Sequence, residues 1–194
     1  MDHAFLLAIT GYPLTLFSRS MFISTCTLYA LLSSALLAVT TTALAGEIHF
    51  RPEKFFAGHT RSSGVFRNTI GESEQHFTTD CRGRLHRSTL YLDQRFHYDD
   101  GHTQERHWQI RKVDAVHYIG SANDVVGEAR GEVSGSRFHF VYIVALNLKN
   151  PLLNVQLDQI MTLHRDGTLV NRATIRKFGF PLSRVTEQFR PIGP

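Results

Sequence analysis

Within eleven positions the chain places His97, Asp99, Asp100, His102 and His107, imidazoles and carboxylates of the kind that hold zinc. Whether they converge depends on the strands that carry them. Tyr91 to Tyr98 runs into Asp99-Asp100-Gly101, and the chain returns from His102 to Ile110. A three-residue loop with a left-handed Gly101 sets Leu90 opposite Ile110, Leu92 opposite Trp108 and Tyr98 opposite His102. The other face then pairs Arg95 with Glu105 and Asp93 with His107. A two-residue Asp100-Gly101 turn would shift the pairing by one and set apolar residues against polar ones. In the favoured register His97 and His107 face outward and His102 inward, and His107 already has Asp93 as a cross-strand partner. No metal site is expected, and nothing else in the chain asks for a cofactor.

Nucleophilic chemistry has equally little support. Ser62, Ser63, Ser88, Ser134 and Ser136 stand near glycines or turns, where serine is common for backbone reasons. Gly135-Ser136 lacks the strand-turn-helix setting of a nucleophile elbow, and no Gly-x-Ser-x-Gly occurs.

The remaining candidates are polar residues that alternation assigns to the apolar face: Gln104, Arg106, Gln159 and Asn171. Polar groups inside a sheet protein must be hydrogen-bonded or reach water. They can orient the head group of an amphiphile in a mostly apolar pocket, or bond to one another in a core filled by side chains. Both readings stand at this point. Asp124 to Gly131 reads as a tight, glycine-spaced turn on Asp124, Gly127 and Gly131, with Asp124 as its turn-forming residue.

The elements that must carry these groups are strands. Leu153 to Leu163, Arg165-Asp166-Gly167 and Thr168 to Ile175 repeat the first hairpin's logic. A three-residue loop there matches Leu163 with Leu169, Leu157 with Ile175, Gln159 with Ala173 and Met161 with Asn171. Phe138 to Leu146 is largely apolar on both faces and is expected to be covered on both sides or to cross a deep part of the core. Glycines at short intervals punctuate the chain from Phe66 to Phe189, which is all-β spacing. The best short helix is Pro52 to Phe56. The expected fold is all-β: an up-and-down antiparallel barrel of about eight to ten strands, because closure removes the exposed edges of a sheet. A flat or split sandwich is the competing architecture.

The chain has 194 residues, but from Met21 to Gly46 no side chain is charged. The apolar run Leu28 to Val39 ends at Ala43-Leu44-Ala45, with small residues where a signal peptidase needs them. Residues 1–45 are therefore read as an export signal with an extension from an upstream start codon, and 46–194 as one barrel domain. The weak point is the basic flank, since Arg19 is the nearest cation and precedes Met21. The alternative is an inner-membrane anchor through residues 21–45. Only Arg19 and Asp2 are charged before Gly46, so the net charge of +4 stays with the domain. Its basic residues are scattered, which argues against nucleic acid and leaves peripheral contact with an anionic membrane open. With Cys26 inside the signal, Cys81 stands alone and is expected to be a buried, inert thiol.

Phe55-Phe56-Ala57-Gly58, Gly64-Val65-Phe66, Asp99-Asp100-Gly101, Trp108-Gln109-Ile110, Asp124 to Gly131, Asn171-Arg172-Ala173 and Lys177 to Phe180 resemble a bacterial domain-of-unknown-function family, number 3833. The resemblance covers nearly all of the chain after the signal. It implies a lipocalin-like barrel in an exported protein or lipoprotein of Gram-negative bacteria, with genes often near fatty-acid-modifying enzymes. It implies no catalytic residues. Where the family tends to have an Asp-Asp-Trp run, this chain has Asp158-Gln159-Ile160. The lipoprotein cysteine of some members is missing, which favours a soluble periplasmic form.

The expected function is to bind or shield a lipid or fatty-acyl ligand in the periplasm, with Phe66, Leu92, Phe96, Trp108, Tyr142, Met161 and Asn171 lining the lumen. The alternatives are a barrel enzyme acting on fatty acyl substrates and a filled barrel that works through a protein partner.

Overall fold

Alternation of apolar and polar residues, interrupted by short turn sequences, makes strands that bury one face each. The computed structural model describes residues 47–69 and 73–193. Among them ten strands follow in chain order: β1 (Gly58–Asn68), β2 (Glu74–His86), β3 (Thr89–Tyr98), β4 (Thr103–Lys112), β5 (His117–Ala122), β6 (Val125–Ser134), β7 (Arg137–Ala145), β8 (Asn154–Leu163), β9 (Leu169–Lys177) and β10 (Phe180–Pro191). Each pairs antiparallel with the next, and β10 returns to pair with β1. The result is a closed up-and-down barrel with no edge strand. Residues 21–45, read above as a signal or an anchor, lie outside the described residues.

Both hairpins take the register that their sequences favour. Leu90 faces Ile110, Leu92 faces Trp108, and Arg95 faces Glu105. Leu157 faces Ile175, Gln159 faces Ala173, and Met161 faces Asn171. Gly101 and Gly167 hold φ of +87° and +80°, the left-handed positions that such loops require.

β7 differs from expectation. Phe138, Phe140, Tyr142 and Val144 are buried, while His139 and Ile143 on the other face are exposed. Among the described residues none covers the outside of the barrel here, and Ile143 on the apolar outer face of β7 is exposed. The segment after Asp124 also differs. It is strand β6, not a turn, and its register shifts between Val126 and Arg130 around Gly127, at φ +71°. Gly131 faces inward, and a Cβ there would lie 2.4 Å from the Phe138 ring.

One end of the barrel is plugged. The Phe50 amide donates to the Gly135 carbonyl at 2.8 Å, and a single helical turn, α1 (Pro52–Phe55), starts at a proline that gives up no helical bond. Phe50, Phe55, Phe56, Phe138 and Phe189 then meet edge-on across this floor, with ring centroids 5.0 to 6.2 Å apart. Glu53 is buried beneath it, accepting from the Tyr118 hydroxyl at 2.8 Å and from Lys112 at 3.3 Å. Burial pushes its carboxyl up, but the Tyr118 bond, a backbone bond and Lys112 together hold it below its ordinary range.

Candidate functional site

Ten strands enclose more room than the inward side chains fill. A cavity of about 200 Å³ begins at Phe56 and Phe189 in the floor and reaches the opposite end at Phe66, Tyr98 and Leu146. Phe66, Leu92, Phe96, Trp108, Tyr142, Met161 and Asn171 all line it, as do Gln104, Arg106 and Gln159. The barrel is thus not the fully filled core that the sequence also allowed.

Its walls differ chemically. β4, β7 and β8 supply an aromatic and aliphatic wall: Trp108 lies 5.3 Å from Phe140 and 5.0 Å from Tyr142, ring centre to ring centre. Into this wall β4 inserts Arg106, three residues from the open end. Its Nε donates to Asp124 Oδ1 and Oδ2 at 2.8 and 3.0 Å, and its Nη2 donates to Oδ2 at 2.7 Å. Nη1 donates to the Tyr142 hydroxyl at 3.3 Å, which also accepts from Gln159 Nε2 at 3.0 Å. The guanidinium lies 5.7 to 5.8 Å from the ring centres of Phe96, Trp108 and Tyr142. A carboxylate in a bidentate fork and aromatic faces around it are what keep a buried guanidinium charged. Burial alone would lower its pKa, but Tyr142 and Asp124 raise it above the ordinary arginine value. Burial pushes the Tyr142 hydroxyl up to about 12, so it stays protonated. Asp124 sits in the β5–β6 turn, as its setting implied, and also serves as the counter-ion of the lumen's arginine.

The second polar group lies deeper, on the wall made by β9, β10, β1 and β2. Glu187 on β10 is 5% exposed and has no cationic side chain bonded to it among the described residues. Its Oε1 accepts from Ser62 Oγ at 2.6 Å and Thr79 Oγ1 at 2.8 Å, while Oε2 accepts, among the described residues, from Asn171 Nδ2 alone at 3.4 Å. Burial raises the carboxyl above its ordinary 4.5, against the pull of the Ser62, Thr79 and Asn171 bonds and of the Arg106 charge. Asn171 is 2% exposed, and its Oδ1 has no hydrogen-bond partner among the described residues. Ser62 is thus a mid-strand residue pointing inward, not a turn serine, and it stands behind Glu187 outside the cavity lining. No substrate in the cavity would reach it first.

Glu187, Ser62 and Thr79 are the site residues that the sequence reading missed. One sign of Glu187 was available: it shares a strand face with Val185 and Phe189, so an acid stands in an apolar phase. Cys81 is fully buried on the same wall. Burial pushes its thiol up to about 12, and its sulfur accepts from Gln94, whose amide oxygen in turn takes the Trp108 indole N–H at 2.9 Å.

The histidine-rich hairpin stays outside this chemistry. His107 pairs with Asp93 at 2.8 Å on the outer face. His102 stacks on Tyr98 and bonds Asp100, which also caps the His102 amide at 3.0 Å. Asp99 accepts from the His76 amide at 3.0 Å. These carboxylates are engaged in holding the loop.

A family model described as "Protein of unknown function (DUF3833)" matches residues 30–190, spanning every strand. The chain belongs to the DUF3833 family. No curated protein matches it. Among solved structures, this DUF3833 barrel is similar to the S-type phycobiliprotein lyase from Guillardia theta. Identity is 9% and the TM-score 0.55, over 75% of this chain and 94% of the lyase. At that identity the likeness concerns the fold alone, and it agrees with a lipocalin-like barrel.

Proposed function

We propose that this DUF3833 protein is exported to the periplasm and binds a lipid-like hydrophobic molecule in its barrel. One observation carries the reading: the cavity of about 200 Å³ is walled mainly by apolar and aromatic residues and holds two buried polar groups. Small-molecule sites have this composition, apolar walls with a few placed polar groups, and typically about 300–1,000 Å³. A volume below that range fits one slender chain and not a bulky or two-chain lipid.

The mouth supports loading from a membrane. Leu148 and Leu152 in the β7–β8 loop and Phe178 and Phe180 at the β9–β10 turn are 72 to 81% exposed, with Leu146 beside them in the lining. Strand order makes these two connections neighbours at the open end. Lys149 lies between the leucines, and the Lys177 ammonium sits 5.6 Å from the Phe178 ring centre. Apolar tips flanked by lysines suit an anionic lipid surface.

The test is native mass spectrometry of protein purified from the periplasm, together with uptake of a fluorescent fatty probe. A co-purifying lipid-like mass, or saturable uptake quenched by Trp108→Phe, supports the reading. Protein free of ligand that also takes up no probe overturns it.

A further inference from the structure

Resting on the reading of the lumen as a ligand site, the geometry points to a specific head group. We propose that the Glu187–Asn171 pair selects a single-chain amphiphile whose polar end is a hydrogen-bond donor, an alcohol or an amine, over the corresponding carboxylate.

Three observations lead there. Asn171 Oδ1 is a carbonyl oxygen, buried in a residue that lines the cavity, with no donor among the described residues. A buried acceptor left unpaired costs free energy until something donates to it. Beside it, Glu187 directs both hydroxyl donors to Oε1, which leaves Oε2 with one long contact. The two residues are directly paired across β9 and β10, and both line the cavity. Finally, the charges of the lumen are already assigned. Arg106 is spent on Asp124 in three hydrogen bonds, and it stands nearer the mouth.

Each head group meets this pair differently. A hydroxyl donates to Asn171 Oδ1 and accepts from a protonated Glu187. An ammonium donates to both oxygens and pairs with an ionised Glu187. A carboxylate has no donor for Asn171 and brings a second negative charge beside Glu187 in a low-dielectric site. Its competing anchor is the Tyr142 hydroxyl, which accepts from Arg106 and Gln159 and has no acceptor for its own proton among the described residues.

The experiment is displacement of N-phenyl-1-naphthylamine from the purified full chain by 1-decanol, decylamine and decanoate at pH 7. Decanol, decylamine or both should displace the probe at about tenfold lower concentration than decanoate, the ratio expected for one buried polar group satisfied or not. Asn171→Leu should bring the three within about twofold. Glu187→Gln should weaken decylamine while leaving decanol unchanged, which separates the amine from the alcohol; it also serves if Asn171→Leu fails to fold. Decanoate bound as tightly as the other two, or more tightly with its advantage lost in Tyr142→Phe, overturns the inference while leaving the ligand-binding lumen intact. If neither the probe nor any decyl compound binds, the reading of the lumen fails and takes this inference with it.

Discussion

Glu187 and Asn171 stand directly opposite each other on adjacent strands, side chains inward, with the Asn171 amide 3.4 Å from one carboxylate oxygen. Ser62 and Thr79 approach the other oxygen from two more strands, so four strands meet on one carboxyl group. Among the described residues the acid is held by neutral donors alone.

That environment gives Glu187 a pH signature. Its carboxyl titrates above the ordinary 4.5 when folded, so the folded protein holds this proton more tightly than the unfolded chain does. Its stabilising contribution is complete below about pH 4.5 and is lost as pH rises through the raised value, by up to ~1.4 kcal/mol per pH unit. Glu187→Gln keeps an acceptor for Ser62 and Thr79 and removes the titration. Urea unfolding at several pH values should show the wild type losing stability relative to the variant as pH rises from 4.5. Parallel curves would contradict the shift.

Arg106 and Asp124 are 10% and 13% exposed, and neither has another charged partner among the described residues. Asp124→Ala leaves a buried guanidinium uncompensated and should cost about 3–5 kcal/mol. The double change Arg106→Met with Asp124→Ala removes both charges and should cost markedly less than the single one. A double-mutant cycle in denaturant measures the coupling, and additive effects would contradict it.

At the mouth, Leu148→Asp with Phe178→Asp should abolish binding to vesicles containing phosphatidylglycerol without changing the melting temperature, because both side chains are more than 75% exposed. Wild-type binding should weaken with salt if Lys149 and Lys177 contribute. Cosedimentation decides it: equal binding by both proteins would remove the mouth as the contact.

Gly83 holds the floor in place. A Cβ there would lie 1.8 Å from the Phe56 carbonyl oxygen, a backbone atom that can move only with the whole plug. Gly83→Ala should destabilise by about 1–3 kcal/mol and make the Lys54–Phe55 bond more susceptible to trypsin. An unchanged melting temperature with unchanged cleavage would show that the plug yields at no cost.

Much of the fold was legible because it rests on local rules. Period-two alternation and loops ending in a left-handed glycine set the registers of the two hairpins, and those registers put Leu92, Trp108, Met161 and Asn171 on one face. Gly127 was harder to read. A glycine-spaced segment serves equally well for a turn or a bulged strand, and pairing with β7 decides between them. β7 itself misled for a related reason, since an outward Ile143 can sit in solvent when the inner face alone holds the core.

The sequence by itself determined the all-β class, the registers of two hairpins and the inward faces of their strands, because these follow from alternation and turn chemistry within a few dozen residues. Only the tertiary structure decided what meets inside. Ser62 and Glu187 are separated by 125 positions, and Arg106 and Asp124 by a strand whose turn gave Asp124 another plausible task. Barrel closure places β10 beside β1, and that single pairing converts an acid, two hydroxyls and an amide into one buried group. The free space beside them is likewise a property of closure, because it depends on how many strands surround the axis and not on any one of them.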